Sequence, residues 1–127
     1  MLEAKGEFKV ALKPVSGEGE QPARMSIAKT FTGDLSGSST GQMMMDAVEE
    51  NGVRVYVALE SFDGALNGRQ GSFLLAHRGT MTAKAQHLSV IVVPGSGTGA
   101  LIGISGDMDI DIRDGKHYYI FHYDLED

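Results

Sequence analysis

Gly106-Asp107-Met108-Asp109-Ile110-Asp111-Ile112-Arg113-Asp114-Gly115-Lys116-His117-Tyr118-Tyr119-Ile120-Phe121-His122-Tyr123 reads as one β-hairpin. On its first arm Met108, Ile110 and Ile112 alternate with Asp107, Asp109 and Asp111. On its second arm Tyr119, Phe121 and Tyr123 share a phase. A period of two is the mark of a strand with one face buried. Asp114-Gly115 is a strong two-residue turn, because both residues tolerate the positive φ that a tight hairpin requires. That turn sets the register. Ile112 should face His117, Ile110 should face Tyr119, and Met108 should face Phe121. The opposite face should pair Asp111 with Tyr118, Asp109 with Ile120, and Asp107 with His122.

The same alternation runs outward through the chain. Phe8, Val10 and Leu12 form one set; Met25, Ile27 and Phe31 a second; Val53, Val55, Val57 and Leu59 a third; Phe73, Leu75 and Met81 a fourth. The pattern predicts eight strands, near 3–13, 24–34, 36–46, 53–62, 65–80 (interrupted by Gly68 and Gly71), 86–93, 106–113 and 116–125. No window shows a sustained helical period; residues 99–104 have room for one turn. Leu88 to Val93 is continuously apolar, which suggests a strand covered on both faces. One phrase occurs three times, as Gly33-Asp34-Leu35-Ser36-Gly37, Gly64-Ala65-Leu66-Asn67-Gly68 and Gly99-Ala100-Leu101-Ile102-Gly103. The copies start 31 and 35 residues apart, the spacing of a repeated supersecondary unit. Each copy is a bend with its own apolar plug. Sequential antiparallel strands with short connections neighbour one another. Closing eight of them into an all-β meander barrel removes both exposed edges. The three glycine bends and both termini then fall at one end, with Leu35, Leu66 and Leu101 closing it. The loop 14–23, the acidic turn 46–52, the loop 82–87 and Asp114-Gly115 fall at the other, as the mouth.

Composition narrows the classes. The chain of 127 residues is read as a single domain, 1–127. Its net charge is −6, from 17 acids against 11 bases, which argues against nucleic acid as a partner. No apolar run reaches membrane-spanning length, so no membrane partner is expected. The start, Met1-Leu2-Glu3-Ala4-Lys5-Gly6-Glu7, has no apolar signal region, and a cytoplasmic location is the expectation. There are no cysteines, which excludes disulfides, cysteine-ligated zinc and thiol nucleophiles. No cofactor is expected.

Several phrases carry a family resemblance. They are Arg24-Met25-Ser26-Ile27, Phe31-Thr32-Gly33-Asp34-Leu35, Gly64-Ala65-Leu66-Asn67-Gly68-Arg69 and Gly71-Ser72-Phe73. With them go His77-Arg78-Gly79-Thr80-Met81, Val92-Val93-Pro94-Gly95-Ser96-Gly97-Thr98-Gly99 and Asp114-Gly115-Lys116-His117. Together the chain resembles an uncharacterised bacterial family, domain of unknown function 3224, over nearly its whole length. The resemblance implies an eight-stranded barrel similar to that of plant allene oxide cyclase. It implies no activity, since fold does not carry function.

The motifs that suggest chemistry mostly dissolve into structure. Gly97-Thr98-Gly99-Ala100-Leu101-Ile102-Gly103 superficially matches a dinucleotide loop but lacks the long helix that would face a pyrophosphate. Asp107-x-Asp109-x-Asp111 matches the start of a calcium loop, but its sixth and twelfth places hold Ile112 and Tyr118. Asp107 opposite His122 reads as an exposed cross-strand pair or an acid–base pair. The four histidines show no metal-ligand spacing, so no metal site is expected. Polar residues standing in apolar phase are more informative. Lys29 lies between Ile27 and Phe31, His77 follows Phe73 and Leu75, and Tyr119 is in phase with Phe121. A lysine inside the barrel needs a partner, and Glu60 is the candidate if Tyr56-Ala58-Glu60 faces inward. Strand 53–62 is apolar on both faces, so its pattern leaves that choice open, and a bulge would turn Lys29 outward.

The leading functional reading is a non-enzymatic barrel holding a small apolar ligand in its interior, with Lys29, Tyr56, Glu60, His77 and Tyr119 as polar contacts. A second is a cyclase or isomerase in which Glu60 or His77 moves a proton. A third is a filled structural barrel acting through homodimerisation or protein interaction, motivated by the second apolar face of strands 53–62 and 86–93.

Overall fold

The computed structural model describes residues 1–48 and 50–125. Eight antiparallel strands close into one barrel in sequence order. They are β1 (Leu2–Pro14), β2 (Ala23–Gly33), β3 (Leu35–Val48), β4 (Val53–Leu66), β5 (Arg69–Met81), β6 (Gln86–Val92), β7 (Ser105–Arg113) and β8 (Lys116–Asp124). One turn of 3-10 helix, Gly99–Leu101, lies between β6 and β7. No helix among the described residues is long and apolar enough to cross a membrane. The β7–β8 hairpin has the register its turn dictates, with Ile112 opposite His117, Ile110 opposite Tyr119 and Met108 opposite Phe121.

Two expectations about strands need correction. The interrupted strand 65–80 is two elements: Ala65 and Leu66 finish β4, and β5 starts at Arg69. Asn67 and Gly68 between them have φ of 49° and 84°. This pair of positive angles twists a two-residue turn in the same sense as the flanking strands. The apolar run at β6 is covered on one face only. Val90 and Val92 are buried, whereas Ile91 on the outer face is 45% exposed. Within the acidic turn 46–52, Glu49 lies outside the described residues.

The glycine bends gather at one end. Leu35, Leu66 and Leu101 are buried there. Above them a chain of rings fills the lower barrel. Phe8 meets Phe31 at 5.4 Å between centroids, Phe31 meets Phe62 at 5.5 Å, Phe62 meets Phe73 at 5.1 Å and Phe73 meets Phe121 at 5.6 Å. Such offset and edge contacts add to the burial of large apolar surfaces. This half of the barrel is a packed core. The ladder is thinnest between β6 and β7, where Ile91 opposite Asp107 is the one registered pair among the described residues; the other neighbours share at least seven.

Candidate functional site: a buried Glu60–Lys29–His77 cluster beneath the mouth

Four adjacent strands send one polar side chain each to a single layer above the rings. Lys29 comes from β2, Ser39 from β3, Glu60 from β4 and His77 from β5. The register explains why they meet. Lys29 is opposite Ser39, Glu60 is opposite Gly41, and His77 is opposite Ala58. Small neighbours in the same layer leave room for three long side chains. At Gly41 the fit is tight: a Cβ there would lie 2.7 Å from Glu60 Cα and 2.9 Å from Glu60 Cβ.

Glu60 is the hub. Its Oε1 accepts a hydrogen bond of 2.8 Å from Lys29 Nζ and one of 2.5 Å from His77 Nε2. Its Oε2 accepts from the Ser39 hydroxyl. Side-chain exposure is 0% for Glu60, 7% for Lys29 and 4% for His77. The Lys29 ammonium also sits 4.7 Å from the centre of the Phe8 ring, close enough for a cation–π contact. Burial alone would push the Glu60 carboxyl up. The His77 hydrogen bond, the Lys29 charge and hydrogen bond, and the Ser39 hydroxyl outweigh it and hold the group at about 2.

A carboxyl held below its ordinary value of 4.5 contributes stability that is fully present above that value. The contribution is lost as pH falls towards about 2. Its size is on the order of 3 kcal/mol. The wild type should therefore lose stability steeply across that acid window in equilibrium urea unfolding. Glu60→Gln should show a shallower slope; equal slopes would mean the carboxyl titrates normally in the folded chain.

Tyr56 roofs the cluster. It shares the inward phase of β4 with Ala58 and Glu60, so the Tyr56-Ala58-Glu60 face is the inner one. Its ring lies over Gly79, where an added Cβ would fall 2.7 Å from Cδ1 of the tyrosine. The Tyr56 and His77 ring centroids are 6.4 Å apart. Burial first, and the Glu60 charge second, raise the Tyr56 hydroxyl above its ordinary value. On the solvent side of Tyr56 a cavity of about 400 Å³ opens at the mouth, lined by Met43, Met45, Tyr56, Met81 and Arg54 among others. Methionine side chains adapt their shape to what they touch.

Four of the five sequence candidates, Lys29, Glu60, His77 and Tyr56, are thus brought together. Tyr119 is not. It lies at the closed end, where its hydroxyl accepts from the Leu35 N–H at 2.9 Å and donates to the Thr32 carbonyl at 2.9 Å, tying β8 to the β2–β3 bend. Ser39 was the missed member. Its inward phase with Leu35 was the available signal, but Ser36-Gly37-Ser38-Ser39-Thr40-Gly41 has no apolar alternation to display it. His122 turns from Asp107 to other carboxylates, Asp109 at 3.2 Å and Glu3 at 3.5 Å, because the side chain reaches across β7 and β1 on the outer face. The glycine-rich phrase 97–103 is a closing bend around the 3-10 turn.

A closed meander barrel with one packed half and a polar cluster under an open half is the class of protein defined here. Residues 4–123 match the family described as "Protein of unknown function (DUF3224)", and the chain belongs to that family. It is similar to a crystal structure of a protein with unknown function from the DUF3224 family of Shewanella oneidensis MR-1. The two are 40% identical, with a TM-score of 0.91 over 100% of this chain and 99% of that one. No curated protein matches the chain.

Proposed function

We propose that the protein binds a small, largely apolar molecule in the mouth of the barrel, with Tyr56 as the floor that separates it from the polar cluster below. The observation that carries this reading is the cavity of about 400 Å³ lined by Met43, Met45, Met81 and Tyr56. Apolar walls with few polar groups are the usual make-up of a small-molecule site. The occupied volume is the mouth half alone, since the rings fill the other. An allene-oxide-cyclase-like barrel and a cytoplasmic location belong to the same proposal.

The test is a fluorescence titration with 1-aminoanthracene, a neutral apolar probe, alongside native mass spectrometry of gently purified protein. The wild type should bind one probe per chain or retain a small molecule. Met45→Arg places a charge on the cavity wall and should weaken binding at least about tenfold with unchanged thermal stability. Absence of both probe binding and a retained molecule would overturn the proposal, as would a Met45→Arg variant that binds as wild type.

One observation favours a second reading, proton transfer by His77 on a molecule that reaches past Tyr56, since His77 itself does not line the cavity. His77 Nε2 is held by Glu60, while its Nδ1 has no hydrogen-bond partner among the described residues. Every fully buried side-chain nitrogen or oxygen among them is bonded, so Nδ1 borders a space that admits water. A carboxylate that orients an imidazole leaves the other nitrogen to accept a proton. Deprotonation of 5-nitrobenzisoxazole, which opens to a phenolate with no co-reactant, probes such a base. Turnover that falls at least about tenfold in His77→Ala supports this reading. A rate no higher than that of free imidazole sinks it.

A further inference from the structure

The outer face of β4 carries an apolar surface that starts at the rim of the mouth, where Val55 also lines the cavity, and runs on to Leu59. Val55, Val57 and Leu59 point away from the barrel there, with Val57 43% and Leu59 52% exposed. Met44 stands beside Val57 on β3 and is exposed as well. A contiguous exposed apolar stripe of this kind marks an interaction surface.

The charges around the stripe say what fits it. Asp46 on β3 is opposite Val55, and Arg78 on β5 is opposite Val57. They flank β4 diagonally, roughly 10 Å apart across the strands and roughly 7 Å along them. Neither makes an ion pair with any described residue. A two-fold axis lying over β4 between Val55 and Val57, perpendicular to the line joining the two charges, brings each Asp46 onto Arg78 of another copy. It does so twice, and it lays Met44 over the neighbouring copy's β4 stripe. An isologous interface needs a patch that is complementary to itself, and this one is. We infer that this face of β3, β4 and β5 is where a second copy of this chain docks, closed by two reciprocal Asp46–Arg78 pairs.

The test is sedimentation velocity at tens of micromolar, with circular dichroism to confirm that each variant keeps its strands. The wild type should sediment as a dimer. Asp46→Arg and Arg78→Asp should each weaken self-association at least about tenfold, because like charges then face one another twice. An equimolar mixture of these two variants should pair into a heterodimer, and the double variant Asp46→Arg/Arg78→Asp should dimerise again. Val57→Arg should be monomeric. A monomeric wild type overturns the inference and leaves the stripe to a different partner. Single charge variants that dimerise as wild type, or a mixture that does not pair, overturn it equally. Asp46 also lines the mouth cavity, whereas Arg78 and Val57 do not, so the Arg78→Asp and Val57→Arg outcomes stand whether or not the mouth binds a ligand.

Discussion

Glu60→Gln is expected to lower the unfolding free energy by about 3–5 kcal/mol, the usual cost of removing one partner from a buried ion pair. Glutamine has the same shape, so the loss isolates charge from packing. The Lys29 ammonium would keep a neutral oxygen and the Phe8 ring as company. A cation–π contact is worth about 0.5–2 kcal/mol and cannot replace a carboxylate in a dry layer. Lys29→Met should be milder on its own, because Glu60 retains the hydrogen bonds from His77 and Ser39. The double variant Lys29→Met/Glu60→Gln should recover at least about 1 kcal/mol relative to Glu60→Gln alone, since the stranded charge has gone. Urea unfolding at neutral pH measures all four corners of this cycle. If Glu60→Gln is within about 1 kcal/mol of wild type, water reaches the ammonium and the layer is not dry. The cycle also bears on function: a cluster that only stabilises would tolerate replacement by apolar residues without change in probe binding.

How much of this was legible in the sequence depended on whether a strand shows contrast between its faces. Met108, Ile110 and Ile112 against three aspartates display their inner side plainly, and Asp114-Gly115 sets the register, so β7 and β8 could be paired residue by residue. Lys29 and His77 were visible because each interrupts an apolar phase. β4 hid its orientation. Val55, Val57 and Leu59 look like core, yet they are the outer face, while Tyr56, Ala58 and Glu60 point in. The inner face could afford the glutamate only because Lys29, Ser39 and His77 come from three other strands, information that no single strand contains. Tyr119 shows the converse limit. Its inward phase was correctly read, but phase says nothing of depth along the barrel, and depth separates a closing strut from a cavity wall.

Depth also distinguishes the glycines of the repeated phrase, and Gly33→Ala against Gly68→Ala makes the difference measurable. Both residues take positive φ, 101° and 84°, so alanine is strained at either. At Gly68 an added Cβ meets nothing within 4 Å, and the backbone strain stands alone, at about 1–2 kcal/mol. At Gly33 the same Cβ would lie 2.6 Å from the Lys5 carbonyl oxygen and 2.8 Å from Gly6 Cα. Those atoms are backbone and have no rotamer to escape into. The Lys5 carbonyl already accepts the Asp34 N–H at 3.1 Å, and the Lys5 N–H donates to the Asp34 carboxylate at 2.9 Å. Moving β1 aside therefore breaks the lacing between β1 and the β2–β3 bend, and it disturbs the Tyr119 hydroxyl 3.3 Å away. Gly33→Ala should cost at least about 3 kcal/mol, strain and overpacking together. Thermal and urea unfolding of the two variants side by side decide the matter. A markedly larger loss at Gly33 means that this glycine is there for close approach of two chains and Gly68 for turn geometry. Equal losses would mean that β1 yields freely, and that the closed end is held by its leucines and rings alone.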